Sequence, residues 1–258
     1  MLEERCYMNA ILTAEPTEID YPDSDGKRMA DNTLQFDWIV TIQGNINFLF
    51  HDNPDVFVAG DNLWYPVRGK RICQAPDVYV AFGRPKGYRG SYKQWLEGDI
   101  APQVVFEVLS PCNTMTEMKK KRRFYEQYGC EEYIVLDPDN AGEEEAAEVW
   151  VRDGDRLQQV DLSKDWVSPR LGIRITSKAD LFLPNGNPFP SFEAIHQQAV
   201  ANLELAESER HRAESEKLKA ESEKRKAESE KRKADAERQK AERFAKKLRE
   251  LGVDPDAV

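Results

Sequence analysis

The sequence has few cysteines and no long apolar run, and both shortages limit what the protein can be. Its 258 residues include four cysteines, which lie far apart and form no Cys-x-x-Cys pair. This spacing argues against a zinc site and against a dense disulfide framework. No apolar stretch approaches the ~20 residues that a membrane-spanning helix needs, and the sequence does not open with the basic-then-apolar pattern of a signal peptide. We therefore expect a cytoplasmic protein with reduced thiols and no membrane partner.

Basic residues are also scarce over most of the chain, whose formal net charge is −10. Residues 204–250 hold 16 of the 37 Lys and Arg residues and 13 of the 47 Asp and Glu residues. The remainder therefore has 21 basic and 34 acidic residues, a balance of −13. Such an acidic body meets a polyanion only through a local basic patch or a bound metal ion. The composition alone thus disfavours nucleic-acid binding.

The residue pattern divides the chain into four segments. Residues 1–30, with Pro16, Pro22, Gly26 and several Asp residues, predict an irregular segment. Residues 31–190 alternate helical and strand-like patterns, which indicates an α/β (α+β) domain with a mixed sheet flanked by helices. Residues 191–251 lack Gly and Pro and predict one long charged helix, and residues 252–258 form a tail.

The first helix of the second segment is predicted from apolar residues at spacings of three and four. Asp31 or Asn32 is its expected N-cap. The positions that we expect to be buried are Leu34, Trp38, Ile42, Ile46 and Leu49.

The long C-terminal helix carries a seven-residue repeat. Alanine recurs at 213, 220, 227, 234 and 241, and the sequence KAESEKR is repeated. The second core position of each heptad is Lys, Arg or Glu, where a strong coiled coil needs Leu, Ile or Val. Two alternatives follow: a solvated single helix, and a weakly associating dimeric coiled coil.

The stretch VVFEVLSP, residues 104–111, places a carboxylate inside an otherwise apolar strand. A buried ionised Glu107 is costly unless it is paired, hydrogen-bonded or bound to a metal ion. Asp77 opens a second apolar run, VYVAF. On adjacent strands these two carboxylates would suit a hard divalent cation such as Mg²⁺. The alternatives are an ion pair for Glu107 and a turn role for Asp77.

A lysine on the next helix completes the pattern. In TEMKKKRRFYEQYG, the residues Phe124, Tyr125 and Tyr128 mark the inward face. Lys121 shares that face because it lies four residues before Tyr125, whereas Lys120 is a weaker candidate. A run of lysines is otherwise a solvated face. Two carboxylates, a metal ion and one inward lysine are typical of phosphodiester hydrolysis.

The segments PDVYV, FEVLSP and KRRFYEQYGCEEYIVLDP, in this order, are similar to the Uma-two family of restriction-type endonucleases. That family belongs to the PD-(D/E)XK nuclease superfamily. The resemblance covers roughly residues 30–185 and implies a restriction-endonuclease-like fold and a Mg²⁺- or Mn²⁺-dependent enzyme that cuts DNA. It implies Asp77 and Glu107 as catalytic metal ligands, with the backbone carbonyl of Val108 as a further ligand. It also implies Lys121 as the catalytic lysine, displaced from the strand to the following helix.

Family members also tend to carry a polar or acidic residue on the first helix, for which Asp31, Asn32 and Gln35 are the candidates. Glu117 occupies a position where relatives usually have Asp. Two function hypotheses stand. One is a metal-dependent DNA endonuclease, expected to be a homodimer because two strands must be cut with one site per chain. The other is a catalytically inactive nuclease-like scaffold or interaction module on a coiled-coil helix.

Overall fold

The computed structural model describes residues 19–26 and 28–250, which fall into two compact units. The first unit ends at Phe192, and the second begins at Glu193. Most of the predicted irregular segment 1–30 and all of the predicted tail 252–258 lie outside the described residues.

Within the described residues, the first unit contains two α-helices and eleven strands. The helices are α1 (Thr33–Leu49) and α2 (Met115–Tyr128). The strands are β1 (Val56–Ala59), β2 (Trp64–Tyr65), β3 (Val78–Phe82), β4 (Tyr92–Lys93), β5 (Val104–Val108), β6 (Glu132–Leu136), β7 (Ala147–Asp153), β8 (Arg156–Gln159), β9 (Trp166–Val167), β10 (Arg174–Ile175) and β11 (Leu181–Phe182).

A mixed six-stranded sheet forms the centre of this unit, in the order β1-β3-β5-β6-β7-β8. Only β5 and β6 are parallel, and α2 connects them; the other neighbours are antiparallel. Strands β9 to β11 form a small separate sheet, and β2 pairs with β4. This arrangement confirms the predicted fold class, an α/β unit with a mixed central sheet and a long C-terminal helix.

The two faces of the sheet are covered by different side chains. Aliphatic residues of α1, including Ile39, Ile42 and Ile46, pack on one face against strand residues such as Val78 and Phe106. The other face carries an aromatic cluster beneath α2. The members of this cluster that are completely buried include Trp64, Tyr79, Tyr92, Tyr125 and Tyr133. The sheet is therefore buried on both sides, as the apolar strands predict.

The buried stripe of α1 differs from the predicted one. Ile42 and Ile46 are buried as expected, but Leu34 is 40% exposed, and the other buried positions are Gln35, Ile39 and Asn45. Asn45 donates hydrogen bonds from Nδ2 to the carbonyl oxygens of Thr41 and Pro190. Polar side chains can line the inner face because such hydrogen bonds, one of them to the distant Pro190, satisfy them.

Both ends of α2 are capped. The Thr114 hydroxyl accepts a hydrogen bond from the Glu117 amide, and Gly129 ends the helix in the left-handed conformation, with φ of 98°. Beyond that cap, the guanidinium of Arg152 on β7 donates to the carbonyl oxygens of Cys130, Glu126 and Tyr125, at 2.7, 2.5 and 3.5 Å. A cation at the C-terminal end of a helix also interacts favourably with the helix dipole. The last turn of α2 is therefore fastened to the sheet.

The described part of the second unit is the helix α3 (Phe192–Glu250), 59 residues long, without its first residue. Its polar side chains pair along the helix, as in Arg212–Glu216 and Arg238–Glu242. Such i, i+4 pairs support a helix that buries little apolar surface. No helix among the described residues is long and apolar enough to cross a membrane.

Candidate active site

The register of the central sheet brings the two predicted carboxylates together. Val78 on β3 pairs with Phe106 on β5, so Asp77 lies opposite Glu107 one step further along these antiparallel strands. Side chains of directly opposite residues project from the same face of a sheet. Here that face is the one covered by α2.

Asp77 is held at the start of β3 by two neighbouring segments. Its side chain is 8% exposed, and its Oδ2 atom accepts a hydrogen bond of 2.6 Å from the Val108 amide. The turn after β1 packs against its main chain, where a Cβ atom on Gly60 would lie 2.4 Å from the Asp77 carbonyl oxygen. Only glycine fits at this point without a shift of the backbone.

Glu107 is 1% exposed, and both of its carboxylate oxygens have donors on α2. Lys121 donates from Nζ to Oε2 at 2.6 Å, and the hydroxyl of Tyr125 donates to Oε1. Lys121 and Tyr125 reach one carboxylate because residues four apart lie on the same face of a helix. The structure thus contains the ion pair expected as an alternative for Glu107, and its partner is the predicted Lys121.

The charges of the cluster perturb the pKa values of its members. Burial and the nearby Glu107 raise the pKa of Asp77 well above its usual range, although Lys121 acts in the opposite direction. Burial opposes the charge of Lys121, but Glu107 and Asp77 outweigh this effect and raise its pKa. Burial and the Glu107 charge also raise the pKa of Tyr125. Such a convergence of perturbed groups beside a cavity is typical of functional sites.

The first-helix candidates form a second hydrogen-bonded layer behind the carboxylates. The buried Gln35 donates from Nε2 to the carbonyl oxygen of Val108 at 2.8 Å and accepts from the Asp31 amide at 2.8 Å. Ser110 donates from Oγ to the Asp31 carboxylate at 2.6 Å. Asn32 is the N-cap of α1, where its side chain accepts from the Gln35 amide. Gln35 therefore contacts the predicted metal-binding carbonyl, whereas Asn32 has a capping role.

The cluster opens into a cavity of about 570 Å³. Asp77, Gln35 and Lys121 line it, together with the carboxylates Asp23, Asp25, Asp31, Asp61 and Glu117 and the cation Arg28. The mouth is therefore mostly acidic, and anionic phosphates would enter it only beside a compensating positive charge.

Asp61 is a cavity residue that sequence reasoning missed. Its backbone has φ of 54°, in the left-handed region, and its amide donates to the Pro76 carbonyl oxygen at 2.9 Å. Burial, followed by the charge of Asp25, raises the pKa of Asp61. Non-glycine residues in strained backbone conformations cluster at functional sites. The feature of the sequence that could have indicated Asp61 is the dipeptide Gly60-Asp61, which predicts a turn after a short strand.

The donor set fits a magnesium ion better than a metal that needs many protein ligands. Within residues 19–26 and 28–250, no three His, Cys, Asp or Glu side chains are grouped so that they could hold a metal ion together. Mg²⁺ commonly binds one or two carboxylates and keeps several waters. Asp77 and Glu107 supply two carboxylates, and the Val108 carbonyl oxygen keeps one lone pair beside its bond to Gln35.

The chain is similar to a family model and to a solved structure. No curated protein matches the chain. Among solved structures, one similar chain is described as "Crystal structure of a putative nuclease belonging to DUF820 from Anabaena variabilis ATCC 29413", with 16% sequence identity and a TM-score of 0.41. The match covers 64% of this chain and 90% of that chain. The family model Uma2, described as "Putative restriction endonuclease", matches residues 26–178. Because this match spans more than half of the sequence, the chain belongs to the Uma2 family.

Proposed function

We propose that the protein is a Mg²⁺-dependent endonuclease that hydrolyses phosphodiester bonds in DNA. The observation that carries this proposal is the cluster of Asp77, Glu107 and Lys121 beside an open cavity in a member of a family of restriction-type endonucleases. Paired carboxylates on a buried sheet, next to a single inward lysine, are the groups that such chemistry requires.

Each residue has a distinct task in this proposal. Asp77, Glu107 and the Val108 carbonyl oxygen would hold the metal ion, which when bound polarises the phosphate and makes a water molecule more acidic. Tyr125 fixes the orientation of Glu107 through its hydroxyl group. Lys121, released from part of its interaction with Glu107, would donate a hydrogen bond to a phosphate oxygen and offset the charge that develops there.

The test is plasmid cleavage by the purified full chain with Mg²⁺ or Mn²⁺, with EDTA as the blank. Glu107→Gln should abolish cleavage and weaken metal binding in calorimetry. Glu132→Gln is the matched control, because Glu132 is also buried but lies at the start of β6, away from the cluster. There its carboxylate accepts hydrogen bonds from the Ser168 hydroxyl and the Arg170 amide. Equal losses of cleavage in the two variants, or cleavage in EDTA, would refute the proposal.

We also propose that two copies act together, since one site per chain cuts one strand at a time. Light scattering of the full chain gives the mass directly. A monomeric mass at the concentration at which both plasmid strands are cut would exclude a stable homodimer.

A second function, a nuclease-like interaction module without catalysis, is favoured by one observation. Gln35 brings an amide rather than a carboxylate to the Val108 carbonyl, and the cluster already satisfies its own charges through Lys121. Calorimetric titration with Mg²⁺ and Mn²⁺ separates the two functions, since the module would release no heat above that of the Glu107→Gln variant.

A further inference from the structure

The outer side of α2, the helix that contributes Glu117 and Lys121 to the cavity, carries an unpaired basic surface. Lys119, Lys120 and Arg123 are exposed, and none of them has an ion-pair or hydrogen-bond partner among the described residues. Arg122, in the same run, is excluded from this set because its guanidinium stacks on Trp150 at 3.8 Å. We name Lys119, Lys120 and Arg123 the basic face.

Other cations of the first unit are used differently. Five of the eleven described arginines there, and two of the lysines, form ion pairs with carboxylates: Arg71, Arg84, Arg89, Arg170, Arg174, Lys121 and Lys178. Lys119, Lys120 and Arg123 differ from these paired cations in being three close neighbours on one helix without a carboxylate partner among the described residues. The absence of pairing leaves their charge available to a ligand.

The basic face is unfavourable for the isolated helix. Lys119 and Arg123 are four residues apart, and Lys120 and Arg123 are three apart, so their side chains are neighbours on the helix surface. Like charges at these spacings repel each other and destabilise a helix. A polyanion would remove this repulsion, which the fold itself does not relieve.

The position of the face connects it to the candidate active site. Glu117 and Lys121 of α2 line the cavity, and Lys120 lies between them, one turn after Glu117. The rest of the lining carries the carboxylates Asp23, Asp25, Asp31 and Asp61 against the cation Arg28, and this excess of negative charge repels phosphate groups. A strand whose phosphate enters the cavity would therefore meet favourable positive charge if it left across α2.

We propose that the basic face binds the phosphate backbone of the nucleic acid on one side of the cleavage position. The inference rests on the proposed function, because it takes the cavity to receive a phosphodiester. The ligand chemistry is a row of phosphates, and the contacts are charge-based and independent of base sequence.

The experiment removes two of these charges in the full chain, as Lys120→Gln with Arg123→Gln. Glutamine keeps a similar helix propensity, so α2 should remain folded. The matched control is Arg156→Gln with Lys164→Gln, since both residues are exposed and lack an ion pair among the described residues. Intrinsic tryptophan fluorescence during thermal unfolding verifies that all forms are folded.

Binding is measured by fluorescence anisotropy with a labelled DNA duplex in EDTA, over a series of KCl concentrations. The slope of log K against log salt concentration should fall by about two in the double variant and stay unchanged in the control. This corresponds to roughly 100-fold weaker binding at 0.1 M salt if the affinities converge at 1 M. An unchanged slope, or an equal change in the control, would overturn the inference.

The same samples separate this inference from the proposed function. Cleavage with Mg²⁺ or Mn²⁺ and an unchanged salt slope would keep the function and reject the basic face. A reduced slope without any cleavage by the unaltered chain would keep the basic face as a nucleic-acid contact and reject the catalysis. If the unaltered chain binds polyglutamate but not DNA at low salt, the face takes an acidic protein and the inference is wrong.

Discussion

Replacement of Tyr125 by phenylalanine should destabilise the first unit while leaving its packing intact. The hydroxyl of Tyr125 is the donor to Oε1 of Glu107, whose side chain is 1% exposed. A hydrogen bond to a charged group contributes about 1.5–3 kcal/mol, and its loss leaves a buried acceptor unsatisfied. The aromatic ring remains between Trp64 and Tyr133, at centroid distances of 6.1 and 5.2 Å, so no cavity is created. We therefore expect unfolding to become easier by about 1.5–3 kcal/mol.

The neighbouring Tyr133 provides the control for this variant. It is 1% exposed, and its hydroxyl has no hydrogen-bond partner among the described residues. Tyr133→Phe should therefore be neutral or slightly stabilising. Urea unfolding followed by tryptophan fluorescence measures both variants, because all five tryptophans precede residue 192 and the signal excludes α3.

Equal effects of the two substitutions would refute the reasoning, since they would show that the bond to Glu107 contributes nothing specific. A double-mutant cycle of Tyr125→Phe with Glu107→Gln supplies the second measurement. We expect the two changes to be coupled by about 0.5–3 kcal/mol, as for groups in direct contact. Additive effects would contradict the hydrogen bond.

Three further predictions concern the carboxylate, the turn beside it and the long helix. A carboxyl group whose pKa is raised by folding keeps its proton after the unfolded chain has lost it, so Asp77 lowers the free energy of unfolding progressively as pH rises above about 4. The free energy of unfolding of Asp77→Asn, measured with urea in EDTA, should therefore increase relative to that of the unaltered protein as pH rises. A difference that stays constant with pH would contradict this. Gly60→Ala forces a Cβ atom to 2.4 Å from the Asp77 carbonyl oxygen and should lower the free energy of unfolding by about 1–3 kcal/mol. Gly44→Ala, where the Cβ atom meets nothing within 4 Å, should instead stabilise α1 by about 0.8–1 kcal/mol. A higher melting temperature for Gly60→Ala than for Gly44→Ala would refute the close approach. The double variant Ala220→Lys with Ala227→Lys should have the same light-scattering mass as the unaltered full chain, because alanine buries little area in a helix contact. A lower mass would show that the heptads hold the assembly together.

The elements that sequence predicts well are those fixed by local periodicity. The apolar runs around Asp77 and Glu107 predict two strands, and both strands are present with those residues at their ends or near them. The four-residue spacing of Lys121 and Tyr125 predicts a shared helix face, and both side chains contact Glu107. Local pattern suffices here because the helix and strand periods alone decide where these side chains point.

The inner face of α1 could not be predicted in the same way. Apolar spacing selects Leu34, which is exposed, and misses Gln35 and Asn45, which are buried. Their hydrogen-bond partners lie 73 and 145 residues further along the chain, at Val108 and Pro190. A polar residue becomes a core residue only through such partners, and no local pattern contains them.

Short segments were missed for a related reason. Strands β9, β10 and β11 have two residues each, too few for an alternation of apolar and polar positions. Asp61 reaches the cavity through one left-handed backbone conformation after Gly60. The backbone conformation of this one residue directs Asp61 towards the cavity. A sequence indicates that a turn is present, but it does not give the direction of the chain after the turn.

Arg152 anchors the last turn of α2 to the sheet, so the two ends of this helix differ in how firmly they are held. Tyr125 lies in the fastened part, so the donor to Oε1 of Glu107 shares the stability of the sheet. The first turn is held by the Thr114 cap, at 3.2 Å, and by the partly buried Met118, and Glu117 of that turn borders the cavity. We therefore expect fraying of α2 to begin at its first turn, so that the mouth would widen while the floor of the site keeps its geometry. Amide exchange along α2 should consequently slow from Glu117 towards Tyr125, and the end that admits a ligand is not the end that orients the carboxylate.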